Sequence, residues 1–229
     1  MKIKIPIEYQ RGFVKFLNCK INLSQRVFIP RIETEFWVKK AIKEIKKERS
    51  YSHLKIRILD IFAGSGCVGI AILKNIKNSF VDFIDIDKRA VEQIKTNLKL
   101  NKIVSKRYRV YQSDVFKKFQ RKKLVPSQKY DFIFANPPYV AKERLKEVEP
   151  SVLKYEPRGA IISGLRGLFH IKKLLKEERR FLKKAGIVYL EFDPKQKEDI
   201  KNILKKEGYK NFRFFKDQFK KYRFLKANF

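Results

Sequence analysis

Long apolar runs are missing from this sequence. None approaches the roughly 20 residues that a membrane-crossing helix needs, so no membrane partner is expected. The opening MKIKIPIEYQ lacks the apolar core of a secretory signal. Cysteine is nearly absent too. Cys19 and Cys67 fit no metal-ligand spacing, and no metal site is expected. They read as reduced thiols in a cytoplasmic protein, with a disulfide as the alternative. The motif GxGxxG is absent, which argues against a dinucleotide held by its pyrophosphate. Internal repeats and low-complexity linkers are also lacking. Acids are scarce: 24 Asp and Glu stand against 56 Lys and Arg, a net charge of +32. That balance excludes no enzyme class and leaves two readings open. One is contact with a polyanion such as RNA, DNA or the ribosome. The other is codon composition, because the lysines are spread along the chain.

What is present is an alternation of strands and helices. The chain has 229 residues, 44% of them hydrophobic, enough for a sizeable α/β core. Short β-like pieces at 20–23 and 26–29 precede a helix over 33–48. Strands follow at 56–61, 80–84, 109–112, 130–135 and 187–192. Helices are expected after the first of these through residue 72, around Val91, Ile94 and Leu98, and over 168–183. Another begins at Asp193, a cap followed by Pro194, and ends at Gly208. Residues 142–157 read as a loop. Two last strands, 212–215 and 222–227, form an antiparallel hairpin. The middle strands are continuous apolar runs, as in a parallel sheet covered on both faces. The expected fold is α/β and Rossmann-like, a mostly parallel sheet with an antiparallel C-terminal edge hairpin. One domain over 1–229 is expected: an N-terminal β segment and helix to residue 50, and a ligand-binding core from 51.

Ligands of such sheets bind at the carboxyl ends of the strands. Four ends here carry suggestive residues. The first is a turn of Phe62, Ala63, Gly64, Ser65 and Gly66, whose glycines permit close backbone approach. The second is Asp85, able to accept from both hydroxyls of a ribose. The third is Asp114 followed by Val115, placed to meet an adenine amino group. The fourth is Asn136-Pro137-Pro138-Tyr139, a rigid corner holding an amide and a phenol. Any one alone has a bland reading: a tight corner, a helix cap, a stiff loop. The four in order fit a ligand with adenosine and no phosphate, S-adenosylmethionine.

These strand ends resemble class I S-adenosylmethionine-dependent methyltransferases with an NPPY motif. More narrowly, IPRIETE over 29–35, EPRGAIISGLRGL over 156–168 and EFDPKQ over 191–196 resemble segments of the HemK/PrmC-type protein-(glutamine-N5) methyltransferases. The lead-in PIEYQRG is similar as well. The chain departs from the family at Phe62, where the family has glycine, at Ser163 and Arg166, and in EFD for EIG. Only 28 residues precede IPRIETE, so the family's N-terminal helical bundle, which docks substrate, is not expected; a helper protein in its place is one expectation.

The resemblance implies transfer of a methyl group to a glutamine side-chain amide, with the GGQ loop of a peptide-chain release factor as target, or a ribosomal protein within the same family. It implies that the Asn136 side-chain oxygen and the Pro137 carbonyl accept from the amide N–H groups, that Pro138 stiffens the corner, and that Tyr139 stacks on the flat group. Asn136 also borders the cofactor. Methylation of an exocyclic amino group in RNA or DNA is the alternative, since NPPY suits a flipped base equally. A degenerate, non-enzymatic relative is opposed by the intact Asp85, Asp114 and NPPY. His53 and His170 match no catalytic position and read as surface or core residues.

Overall fold

The computed structural model describes residues 3–48, 54–119 and 129–229. His53 and most of the expected connection at 50–55 lie outside the described residues. The chain opens with a short helix α1 (Ile7–Arg11), closed by Gly12 in the left-handed region, and an antiparallel hairpin of β1 (Phe13–Phe16) and β2 (Cys19–Asn22). The long helix α2 (Ile32–Glu48) follows. Then come β3 (Ile56–Ile61), α3 (Cys67–Asn75), β4 (Ser79–Asp85), α4 (Lys88–Leu100), β5 (Tyr108–Gln112) and β6 (Tyr130–Ala135). The second half adds α5 (Pro150–Tyr155), α6 (Phe169–Glu177), β7 (Leu182–Glu191), α7 (Lys197–Lys206), β8 (Asn211–Lys216) and β9 (Tyr222–Asn228).

The described strands β3 to β9 form one sheet in the order β5-β4-β3-β6-β7-β9-β8. All pairs up to β7 are parallel; β7–β9 and β9–β8 are antiparallel. The expected fold class and edge hairpin are therefore present. The chain leaves β3 toward β4 and β5 and returns to place β6 on the other side of β3. This reversal opens a crevice at the strand ends, where such sheets bind ligands. In register, Ile61 stands between Ile84 and Ala135. The residues that follow these three positions are therefore neighbours in space.

Strands β3, β4 and β6 are buried on both faces because most of their side chains are apolar, with Asp60, Asp82 and Asp131 as buried acids among them. One face carries Trp37, Val38, Ala41 and Ile45 of α2 with α3, α4 and the hairpin. The other carries Ile171, Leu174 and Leu175 of α6 with Ile200 and Leu204 of α7. None of the helices among the described residues is long and apolar enough to cross a membrane.

Three elements differ from the sequence expectation. Residues 26–29 join no ladder; Val27 and Ile29 are buried, and the Ile29 N–H donates to the Glu156 carboxylate at 3.0 Å instead. Residues 142–157 contain a 3-10 stretch, Lys142–Glu147, and α5, which Pro150 opens at a position where its missing N–H costs nothing. Helix α6 stops at Glu177, and β7 begins at Leu182, inside the expected helix. Phe181 and Leu182 continue the helical spacing of apolar residues, but tertiary packing claims them. Phe181 stacks on Phe116 with centroids 4.4 Å apart, and Leu182 pairs with Tyr130.

Candidate active site

A cavity of about 560 Å³ lies at the crevice and gathers all four strand-end signals. The turn after β3 contributes Phe62, Ala63, Gly64 and Ser65. Its backbone is left-handed at Phe62 (φ 60°), Gly64 (φ 55°) and Gly66 (φ 77°). The family's glycine at the first of these now has its physical reason: Phe62 holds a conformation that costs an L-residue about 1–2 kcal/mol. Its ring meets the His170 ring edge-on at 5.7 Å. A side chain at Gly64 would meet no atom within 4 Å, so the turn leaves open space above its backbone. Gly66 does not line the cavity; it opens α3, where a Cβ would sit 3.1 Å from Ile94 Cγ1.

Asp85 accepts from the Gly64 N–H at 2.8 Å and from the Asp87 N–H at 2.9 Å, one on each carboxylate oxygen. These bonds fix the carboxylate at the cavity wall, and each oxygen keeps a further lone pair. Burial pushes its carboxyl up, against the pull of the two backbone donors. Asp60, behind the turn, accepts from the Gly69 N–H at 2.8 Å, and burial pushes its carboxyl up to about 8. Asp114 and Val115 line the cavity as expected, with Val115 left-handed at φ 49°. Both Asp114 oxygens, however, lie 2.6 Å from the Lys173 ammonium. An adenine amino group would therefore share this carboxylate with a lysine.

Asp60, Asp85, Asp87, Asp114 and Glu149 line the cavity together with three arginines, Arg31, Arg89 and Arg158. Asp60 and Asp85 flank the glycine turn where a pyrophosphate would sit. Two of the three arginines on the wall are paired with acids, Arg31 with Glu156 at 2.5 Å and Arg89 with Asp87 at 2.8 Å. A donor with a sulfonium, an ammonium and a ribose fits this arrangement.

Asn136, Pro137, Pro138 and Tyr139 line the opposite wall. The Asn136 amide donates from Nδ2 to the Thr34 hydroxyl at 3.3 Å. The Tyr139 hydroxyl donates to Glu191 at 3.3 Å, and burial pushes this phenol up. Among the described residues neither Asn136 Oδ1 nor the Pro137 carbonyl accepts a hydrogen bond.

The remaining motif strings turn out to be props for this corner. Glu191 of EFDPKQ accepts from Trp37, Thr34 and Tyr139. Gln196 of the same string donates to the carbonyls of Tyr139 at 3.0 Å and Arg166 at 2.9 Å. Gly167 lies so close that a Cβ would sit 1.9 Å from the Tyr139 carbonyl oxygen. Arg31 and Glu35 of IPRIETE bind Glu156 and the Leu17 N–H. His170, which the sequence left among surface or core residues, lines the cavity, half-buried, with Nδ1 2.7 Å from the Ser163 hydroxyl. Burial and then Lys173 hold its imidazole below the usual range. Nothing in the sequence marked Thr34, Glu191 or Gln196 as more than parts of a resemblance.

Similar proteins identify the family of the chain. The family model described as "Conserved hypothetical protein 95" matches residues 34–159. The release factor glutamine methyltransferase of Thermodesulfovibrio yellowstonii is 32% identical, over 93% of this chain and 73% of that protein. That of Flavobacterium psychrophilum is also 32% identical, over 100% of this chain and 77% of that one. The N-terminal domain of human METTL16 in complex with SAH has the same fold. Its TM-score is 0.63 at 16% identity, covering 92% of this chain and 75% of that one. The relatives align over nearly the whole chain at 32% identity, and on these grounds the chain belongs to the release factor glutamine methyltransferase family.

Proposed function

We propose that this protein transfers a methyl group from S-adenosylmethionine to the side-chain amide nitrogen of a glutamine in a peptide-chain release factor. One observation carries the reading: Asn136 Oδ1 and the Pro137 carbonyl are two unpaired acceptors on one proline-stiffened corner of the cavity. A primary amide offers two N–H donors, which such a pair can satisfy. An amide nitrogen is a poor nucleophile because its lone pair is delocalised into the carbonyl. Acceptors on both N–H groups raise its electron density and fix its direction. Pro137 and Pro138 hold those acceptors with little reorganisation. The Tyr139 ring, anchored through its hydroxyl to Glu191, offers a face to the planar amide.

Bound in the cavity, S-adenosylmethionine supplies an electrophilic methyl group on a sulfonium. Asp85 would accept from its ribose hydroxyls, with the Phe62–Ala63–Gly64–Ser65 turn beneath and Val115 and Asp114 at the adenine end. The amide nitrogen would gain the methyl as the methyl–sulfur bond breaks, the electron pair staying on sulfur as a neutral thioether, and the nitrogen gives up one proton to solvent. The relatives' names supply the choice of release factor; the corner itself asks only for a planar amino group.

The test is incubation with labelled S-adenosylmethionine, recombinant release factor and total RNA together. Label in the release factor, lost when its GGQ glutamine is replaced, is expected. Label in RNA alone would refute the glutamine reading.

A further inference from the structure

We propose that Thr34 and Glu191 are positioning residues that fix which end of the Asn136 carboxamide faces the substrate. The inference rests on the reading of Asn136 Oδ1 as an acceptor for the substrate amide. A carboxamide is nearly symmetric in shape, so packing alone does not choose between its oxygen and its NH₂. A hydrogen-bond partner of fixed polarity does.

The polarity starts at Trp37. Its indole N–H is a donor with no acceptor capacity. It points at Glu191 Oε2 from 2.7 Å. The indole is held by stacked rings on both sides, Phe134 at 5.9 Å and Phe224 at 5.7 Å. With Glu191 as the carboxylate, Oε2 presents only lone pairs, and the Thr34 hydroxyl, 2.7 Å from the same oxygen, donates to it. The hydroxyl has one proton, now committed, so Thr34 Oγ1 can only accept from Asn136. Nδ2 occupies that place at 3.3 Å, and Oδ1 is left for a ligand. In the flipped amide, Oδ1 would oppose a second acceptor, and the substrate N–H groups would meet an NH₂. The Tyr139 hydroxyl on Glu191 Oε1 ties the other side of the corner to the same carboxylate. Thr34 and Glu191 are 2% and 1% exposed, so water does not compete for these bonds. The chain of donors joins the middle of IPRIETE to the start of EFDPKQ, two strings that otherwise share no chemistry.

The experiment compares Thr34→Val, which keeps the shape and removes the hydroxyl, with Thr34→Ser, which keeps the hydroxyl. Two readouts are taken. The first is the side-chain amide resonance of Asn136 in ¹⁵N-labelled protein, assigned by its loss in Asn136→Ala. The second is the single-turnover rate on release factor, with donor affinity measured by calorimetry. We expect the Asn136 amide proton to sit in a hydrogen-bonded position in wild type and Thr34→Ser and to move to a solvent-like one in Thr34→Val. We expect Thr34→Val to be on the order of tenfold slower, with Thr34→Ser within about threefold of wild type. Donor affinity should be the same in all three. An unmoved resonance and a wild-type rate in Thr34→Val would overturn the inference. So would equal loss of rate in both variants alongside a lowered melting temperature. If wild type labels no release factor, the functional reading fails, and the resonance alone still decides the relay.

Discussion

Asp85 ends β4 and Asn136 follows β6, strands on opposite sides of β3, and their hydrogen bonds divide the cavity into two halves. Asp85 is tied to the glycine turn through Gly64, whereas Asn136 is tied to α2 through Thr34. The two halves should fail separately. Asp85→Ala is expected to weaken S-adenosylmethionine binding by about 1–3 kcal/mol in calorimetry, the loss of a buried hydrogen-bonding carboxylate. Asn136→Ala should leave that affinity nearly unchanged and slow single turnover by at least about 100-fold, as removal of a preorganised polar contact does. The sequence displayed these residues because each stands directly after an apolar run, where side chains of open sheets meet ligands. What it hid was the partner of each. Asp114 looked free for adenine, yet its carboxylate is paired with Lys173 from a helix 59 residues away in sequence. Phe62 looked like a simple loss of glycine, while the backbone keeps the glycine-like φ of 60°. Partners from distant elements leave no local pattern to read.

Between elements, the corner after β6 is clamped by the loop before α6 and the turn before α7. Gly167 has φ +67° and would place a Cβ 2.6 Å from Gln196 Nε2 as well as against the Tyr139 carbonyl. Gly167→Ala therefore combines left-handed strain with overpacking against backbone. A loss of about 2–5 kcal/mol in denaturant unfolding is expected, with methyl transfer falling further than donor affinity. The strings EPRGAIISGLRGL and EFDPKQ were visible in the sequence, but their work as clamps was not. A string shows which residue types recur, not what a carbonyl 57 residues upstream requires. Element type was legible wherever apolar periodicity ran uninterrupted, as in β3, β4 and β6. It failed at the α6–β7 junction, where Phe181 and Leu182 obey helical spacing but pack on Phe116 and opposite Tyr130. The polar ladder of α4 escaped notice for the same reason. Gln93, Asn97 and Asn101 bond the backbone of Gln25, Asn22 and Lys20, so this stripe faces protein and not solvent.

At the scale of the whole molecule, stability should depend on buried acids. Asp60 and Glu178 both have carboxyls raised by burial, and among the described residues the Glu178 side-chain oxygens have no hydrogen-bond partner. A raised folded pKa means that the folded state prefers the protonated acid. This contribution is complete below the ordinary carboxylate range, near pH 4, and is lost as pH rises through about 8 for Asp60. Denaturant midpoints should accordingly fall between pH 5 and about 8.5. Glu178→Met should flatten part of that slope and stabilise the protein at its upper end by about 1–3 kcal/mol, because an unpaired buried carboxylate is removed; an unchanged slope would contradict the assignment. The net charge of +32 acts over longer distances. Attraction to an acidic face of the substrate or to nearby RNA is screened over about 8 Å at physiological ionic strength. Raising salt should therefore weaken apparent substrate affinity steeply and leave the saturated rate nearly constant. A flat affinity would assign the lysines to composition alone. The central claim is the fate of the methyl group, and site-resolved mass spectrometry of release factor after reaction tests it most directly. A single added methyl on the side-chain nitrogen of the GGQ glutamine is expected, absent with Asn136→Ala. A methyl group on a lysine, on a chain terminus or on an RNA base, with that glutamine unmodified, would contradict it.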